Sequence, residues 1–372
     1  MSKIAYLLGA GASYGERIPR MFEGEQEKDA RGNGLNDISR GLPVMNEMKD
    51  AIQQLLNEIE EEKRFSVSPS RQQLKSELLE LYKACAKNPT IDTYAKTLYT
   101  NAESKTCYDL KPYYALKAQL SIAFMLWQKL DKYDQRYLSF FNDIINPHTG
   151  KLPPLTILSW NYDIQLEMAF DNYIKYGNSL TKSWDELNVY CKTYPVSKIP
   201  LVKSYDNTLP FALLKLNGSA LFYENERNDR TLRFTIQDPF WNIKDENEKY
   251  DLLYDYYTQC EVGNRQPPKY VNGLSYIWET NRHEELKKCI EERVRDTEEL
   301  VIIGYSFPNV NSEIDRHILN SMPNLKHIYI QDGNANMIKK KIEDTLNFLQ
   351  KSIPFVEPLE EISNFYIPNS LI

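Results

Sequence analysis

The chain has 372 residues, of which 42% are hydrophobic and 26% are charged, and its formal net charge is -7. This length allows one large domain with insertions or two domains, with enough apolar material for a sizeable core. An acidic balance predicts no direct nucleic-acid binding, and the absence of any apolar run near the roughly 18 residues of a membrane helix predicts no membrane span.

The five cysteines are far apart, odd in number and without a C-x-x-C pair. A zinc ribbon needs closely spaced cysteine pairs, so the sequence predicts no ribbon and no metal site. The N-terminus lacks the pattern of a signal peptide, because the apolar run after Lys3 is short and leads into a strand-to-helix turn. These features favour a reduced, cytoplasmic protein.

The first predicted strand runs from Ile4 to Leu8 and leads into the stretch GAGASYG. Residues 16–40 are polar and predict a long surface loop. Gly41-Leu42-Pro43 then opens a predicted helix, whose apolar residues recur at helical spacing. Residues 61–151 carry further stripes of this kind and no convincing strand, so we expect a helical insertion module there.

Downstream, apolar runs predict strands at 155–158, 213–216, 299–303 and 327–330, and helical patterns start at about 164, 281, 312 and 335. A charged and aromatic segment at about 224–280 is predicted as a second insertion. Strands that alternate with helices predict an α/β fold, here a Rossmann-like parallel sheet with helices on both faces. Residues 1–60 and 152–372 would form this domain.

Every predicted strand ends at small or polar residues. The first is followed by glycines and a serine, and later strands by N-Y-D, N-G-S, G-Y-S and Q-D. Ligands of an open parallel sheet bind beyond the carboxyl ends of its strands, and backbone N–H groups at a helix N-terminus bind phosphates. The glycine spacing differs from the dinucleotide-binding G-x-G-x-x-G, so a plain tight turn remains the alternative.

In this order, the motifs GAGAS, GLP, WNYD, LNGS and GYSFP resemble the sirtuin-like (silent information regulator-like) family. The closest likeness is to its bacterial branch that lacks the zinc ribbon and serves antiviral defence. The resemblance covers 1–60, 152–175, 211–223 and 297–350. It implies a crevice that binds NAD, and an enzyme that hydrolyses NAD to nicotinamide and ADP-ribose when infection is sensed.

The resemblance also assigns residues to the cofactor, all of them at or after the predicted strand ends or the flexible loop. They are Gly9, Ala10, Gly11, Ala12, Ser13, Pro43, Asn161, Asp163, Gly218, Gly304, Ser306 and Asp332. In the family, the Asn of the Asn-x-Asp motif orients a water or the ribose hydroxyls, and the Asp holds the carboxamide. Residues at Gly304 and Ser306 touch the adenosine side. From the residues alone, Asp163 also suits a helix N-cap.

One position departs from the family. Sirtuin-like enzymes commonly have a His-Gly step where this chain has Asn217-Gly218, and that histidine is the general base. An amide takes no proton near neutral pH. Asp163 and His283 are the candidates for the general base in its place, and Asn217 itself stays among the predicted catalytic residues. The alternative is a weak or inactive module that binds NAD or ADP-ribose and regulates assembly with a partner.

No segment of the sequence resembles a sensing domain, so a separate partner would supply the trigger. The resemblance implies that this partner is a HerA-type ATPase or an Argonaute-like protein. The apolar stripes within 61–151 offer contacts between copies of the chain, although core packing explains most of them, and a homo-oligomer is expected.

Overall fold

The computed structural model describes residues 3–15, 41–61, 68–104, 109–128, 133–176, 208–224, 239–263, 267–279 and 284–371, and short strand segments at 18–19, 21–22, 25–26, 36–37 and 189–190. These short segments include two ladders of two-residue strands, which pair Ile18–Pro19 with Asn36–Asp37 and Met21–Phe22 with Glu25–Gln26.

The longer strands, and one short one, are β1 (Ile4–Leu8), β2 (Leu155–Ser159), β3 (Val189–Tyr190), β4 (Phe211–Lys215), β5 (Gly218–Glu224), β6 (Tyr270–Leu274), β7 (Glu299–Ile303), β8 (His327–Gln331) and β9 (Phe355–Leu359). Seven of them form a parallel sheet in the order β9-β8-β7-β1-β2-β4-β3. β5 and β6 form a separate antiparallel pair.

The helices are α1 (Met48–Glu61), α2 (Pro69–Lys87), α3 (Ile91–Ser104), α4 (Lys111–Trp127), α5 (Gln135–Ile144), α6 (Gln165–Tyr176), α7 (Glu246–Gln259), α8 (Glu284–Val294), α9 (Ser312–Asn320) and α10 (Ala335–Phe348). None of these helices combines the length and the apolar character that crossing a membrane requires.

Two hydrophobic clusters, one on each face of the sheet, explain the continuous apolar strand sequences. Ile4, Tyr6 and Leu8 of β1 belong to the cluster that α1–α7 cover, while Ala5 and Leu7 belong to the cluster under α8–α10. Alternate residues of a strand point to opposite faces, so a strand covered on both sides is apolar throughout. The predicted Rossmann-like α/β fold with helices on both faces is therefore confirmed.

The helices between β1 and β2 form a helical unit, and in α4 of this unit 12 of 17 residues are buried. α4 contacts α2, α3 and α7 and the β5–β6 pair. The residues predicted as a second insertion thus pack on the helical unit. The sequence pattern predicted neither β6 nor α7 in that segment. β6 contains Asn272 and Gly273 at an irregularity of its ladder, which interrupts the strand pattern. β9 was not predicted either, because it contains Pro358; it is an edge strand, and edge strands tolerate proline.

The register of the central strands brings their ends to one level. Leu8 of β1 pairs with Ile303 of β7 on one side and with Ser159 of β2 on the other. The turns that follow these three strands therefore meet at one edge of the sheet. β1 is also where the strand order reverses direction, since the chain continues to β2 on one side and later to β7 on the other. Such a switch point is where open α/β sheets bind ligands.

Candidate functional site

A cavity of about 1590 Å³ lies at this switch point, beyond the carboxyl ends of β1, β2, β7 and β8. Pockets for drug-sized ligands span about 300–1,000 Å³, so this one can hold a ligand of dinucleotide size. Most of the predicted site residues line it, namely Gly9, Ala10, Gly11, Pro43, Asn161, Asp163, Asn217, Gly304, Ser306 and Asp332. The predicted convergence of the strand ends is therefore observed.

The other predicted residues that the structure describes do not line the cavity. Ala12, Ser13 and Gly218 are buried behind its surface. Gly218 has a backbone role, because its φ is +70° and a Cβ there would lie 2.1 Å from the carbonyl oxygen of Gly273. His283 lies outside the described residues.

The glycines of the first turn allow two backbones to touch. The N–H of Gly9 donates to the carbonyl of Ile303 and that of Gly11 to Gly304, both at 3.0 Å. A Cβ atom at Gly9 would lie 2.5 Å from the Gly304 oxygen, and one at Gly11 would lie 2.6 Å from the Gly304 Cα. This close approach by itself explains glycine at both positions. Phosphate binding by the turn stays a prediction.

Ser13 and Asn161 connect the first two turns beneath the cavity. The Asn161 amide donates from Nδ2 to Ser13 Oγ at 3.1 Å, and Ser13 Oγ lies 2.9 Å from the Tyr137 hydroxyl. Asn161 is only 6% exposed, yet its Oδ1 has no hydrogen-bond partner in the described part of the chain. An unsatisfied buried acceptor costs about 1–3 kcal/mol, and here it belongs to a side chain that lines the cavity.

Trp160 adds an unpaired donor beside Asn161. Its ring stacks on Tyr305, with ring centroids 5.6 Å apart, and both side chains line the cavity. The buried indole Nε1 makes no hydrogen bond to any residue that the structure describes. Two neighbouring residues that line the cavity therefore each bury a polar atom without a hydrogen-bond partner among the described residues, a donor at Trp160 and an acceptor at Asn161.

Asp163 caps a helix and also lies at the cavity, so the structure is compatible with both of the roles that the sequence left open. Its Oδ1 accepts the N–H of Gln165 at 3.0 Å, which caps the start of α6, and its side chain also lines the cavity. Burial raises the pKa of this carboxyl, and the ammonium of Lys215 and the N–H of Gln165 partly oppose the rise.

Lys215 forms a buried ion pair with Glu167 and also contacts the backbone of Asp163. Its Nζ lies 3.2 Å from Glu167 Oε1 and donates to the carbonyl oxygen of Asp163. All three side chains are buried. Burial raises the pKa of Glu167, while Lys215 acts in the opposite direction. One cation therefore offsets the charge of two acids.

Asn217 is the position at which the resemblance predicted a basic histidine. It is 2% exposed and lines the cavity. Its Oδ1 accepts the N–H of Ile277 at 3.4 Å, and its carbonyl accepts the N–H of Ser275 at 2.9 Å. These bonds fix the amide between β4 and the segment after β6. The side chain is well placed for a ligand, but it has no proton-accepting nitrogen.

The start of α5 is a part of the site that the sequence did not reveal. Asp134 caps α5 and accepts the N–H of Gly15 at 2.9 Å. Arg136 pairs with Asp134 and donates from Nη2 to the carbonyl of Gly11 at 3.0 Å and from Nη1 to that of Ile362 at 3.2 Å. Both residues line the cavity. The N-cap pattern predicts where α5 starts, but it does not say which turn the helix contacts.

The C-terminal segment also borders the cavity, through residues 362–364. Gln331, at the end of β8, holds it there. The Gln331 Nε2 donates to the carbonyls of Glu361 and Asn364 at 2.7 and 2.5 Å, and its Oε1 accepts the N–H of Tyr366 at 3.1 Å. The sequence placed Gln331 at a strand end, but its partners depend on the fold.

Gln331→Ala is expected to loosen this segment. The substitution leaves three backbone groups without their partner, at about 1–3 kcal/mol for an unsatisfied buried group. Amide hydrogen exchange at Phe365 and Tyr366 should accelerate at least tenfold, while β1 and β7 keep their protection. The exposed Gln73→Ala in α2 is the control. Equal exchange rates in both variants would show that the Gln331 side chain does not hold the C-terminal segment in place.

Among the described residues, no group of three or more histidine, cysteine or acidic side chains is arranged to hold a metal ion. A comparison with protein-family models finds no match. A search of curated proteins finds no significant relative.

Proposed function

We propose that the chain is a sirtuin-like NAD glycohydrolase, which cleaves NAD into nicotinamide and ADP-ribose. The observation that carries the proposal is Asn161. Its amide is fixed by Ser13 and leaves Oδ1 unpaired at a cavity of dinucleotide size. The ordered motifs and the cavity at the switch point support the same assignment.

The chemistry suits the residues at this end of the cavity. The bond between ribose C1′ and the nicotinamide nitrogen breaks, and its electron pair stays with nicotinamide. The ribose is left with oxocarbenium character, which a fixed carboxylate or amide dipole stabilises. Asp163 supplies the carboxylate and Asn161 the amide that orients water. Gly304, Ser306 and Asp332 line the part assigned to the adenosine side.

The test is nicotinamide release from NAD by the purified chain, alone and with a co-purified partner. Asn161→Ala is expected to reduce release at least about 10²-fold, because a misplaced reactant loses that much rate. Asn347→Ala, an exposed change on α10, should leave release unchanged. Equal rates in the wild type and the Asn161 variant would contradict the proposal.

Within the same proposal, the enzyme is a cytoplasmic effector of antiviral defence that depletes NAD when triggered. It works as a homo-oligomer, and a HerA-type ATPase or another defence protein supplies the trigger. The support is the resemblance of the ordered motifs.

Asn217 favours a second candidate, a module that binds NAD or ADP-ribose and regulates assembly. Its amide takes no proton and is engaged with Ile277. Recovery of intact bound nucleotide, without turnover under any activating condition, would favour this candidate over the hydrolase.

A further inference from the structure

Asp92 brings a carboxylate from the helical unit into the cavity. It belongs to the first turn of α3, is 7% exposed and lines the cavity. Its Oδ1 accepts a hydrogen bond from the hydroxyl of Tyr162, and Tyr162 directly follows Asn161 in the chain. The Asp92 carboxylate is therefore hydrogen-bonded to the turn that contains Asn161, the proposed water-orienting residue.

The same network reaches Asn217. The ring of Tyr162 packs edge-on against Tyr276, with centroids 6.0 Å apart, and Ile277, the next residue, donates its N–H to Asn217 Oδ1. The carbonyl of Tyr162 also accepts the N–H of Ala220 at 2.7 Å. Asp92, Tyr162 and Asn217 thus border one region of the cavity.

The surroundings of Asp92 are uncharged. The titratable groups that face it are Tyr162 after β2, Tyr276 after β6 and Tyr305 after β7. Burial raises the pKa of each of these hydroxyls well above its usual value, so all three are neutral. No cation in the described part of the chain forms an ion pair with Asp92. An asparagine could accept the same hydrogen bond without the cost of a buried charge, so a structural role alone does not require the acid.

We propose that Asp92 is the general base of the reaction and does the work of the histidine that Asn217 replaces; this inference rests on the proposed NAD glycohydrolase. As the C1′–nitrogen bond breaks, its electron pair leaves with nicotinamide. The water oxygen bonds to C1′, and one water proton passes to the free oxygen of the Asp92 carboxylate and then to solvent. NAD and water become nicotinamide, ADP-ribose and one proton.

The acidity of Asp92 fits this role. Burial raises its pKa to about 6, and the Tyr162 hydrogen bond limits the rise. A base works best when its pKa lies near the operating pH. Asp163 is the rival base, but its Oδ1 is engaged in capping α6 and its charge is offset by Lys215.

The test compares kcat and KM across pH 5–9 for the wild type, Asp92→Asn and Tyr162→Phe. The wild-type kcat should fall as the pH drops through about 6, because the base becomes protonated. Asp92→Asn keeps the Tyr162 hydrogen bond and should lower kcat about 10²–10⁴-fold. KM and the affinity for NAD should stay nearly constant, and the acid limb should disappear.

Tyr162→Phe leaves the carboxylate in place and removes the hydrogen bond that lowers its pKa. The acid limb should therefore move to higher pH, a shift that a purely structural contact would not produce. Asp143→Asn, an exposed change on α5, is the matched control and should retain the wild-type profile.

The outcomes separate the two proposals. Nicotinamide release by Asp92→Asn with wild-type kcat and an unchanged acid limb would overturn the role of Asp92 and leave the hydrolase intact. An acid limb that stays in place in Tyr162→Phe would also count against Asp92. A wild-type protein that neither binds nor cleaves NAD, with or without a partner, would overturn the glycohydrolase and this role with it.

Discussion

Lys215→Met is expected to destabilise the folded protein by about 3–5 kcal/mol at pH 8, as is typical when one partner of a buried ion pair is removed. Methionine fills a similar volume but leaves Asp163 and Glu167 buried without their cation. The two carboxyls already have raised pKa values from burial, and Lys215 opposes that rise. The loss of Lys215 therefore raises the free-energy cost of burying the charges of Asp163 and Glu167.

The pH dependence of this loss has a definite sign. A carboxyl with a pKa raised by folding binds protons more tightly in the native state, so stability falls as the pH rises above the unfolded-state pKa. The deficit of Lys215→Met should thus be larger at pH 8 than at pH 5. Denaturant unfolding at both pH values measures it.

The control is Lys249→Met, which removes a partly exposed ion pair with Glu246 on α7. Surface pairs of this kind contribute about 0–1 kcal/mol, so little change is expected. A Lys215→Met deficit no larger than that of a surface pair, or one equal at pH 5 and pH 8, would show that the ammonium does not offset the two acids. The Asp163 carboxylate of the candidate site depends on this offset.

Gly304→Ala is expected to cost more than about 3 kcal/mol. The φ of Gly304 is +60°, a region that costs an L-residue about 1–2 kcal/mol, and the new Cβ would lie 2.4 Å from the backbone nitrogen of Ala12. Overpacking adds about 1–3 kcal/mol, and here the atoms in the way are backbone. The turns after β1 and β7 would have to separate.

Gly333→Ala is the matched control, because Gly333 also follows a strand and lines the cavity but has no atom within 4 Å of its Cβ position. Thermal unfolding of the two variants should differ by well over the roughly 1 kcal/mol that separates glycine from alanine in ordinary positions. Similar melting temperatures would mean that the contact between the turns is not tight.

Much of the sheet could be predicted from the sequence. Glu299–Ile303 is a short apolar run with turn residues after it, and the structure has β7 with these bounds. The strand-end residues that line the cavity could also be predicted, because parallel strands bring their carboxyl ends to one edge. The signals are local in both cases: the side chains of a run and the turn that ends it.

Local signals were not enough for β6 and β9. Their segments contain an irregularity or a proline, so neither has an uninterrupted strand pattern. Each forms because a partner strand supplies its hydrogen bonds, which is a property of the folded chain.

The sequence by itself determined the α/β class, the glycine turn and the polar ends of the strands, because periodicity and turn chemistry act between close neighbours in the chain. The tertiary structure decided which distant groups complete the site. Asp92 meets Tyr162 across 70 positions, Arg136 reaches Gly11 across 125, and Gln331 holds the C-terminal segment. Such pairs depend on how helices pack on a sheet, and no local pattern encodes that packing.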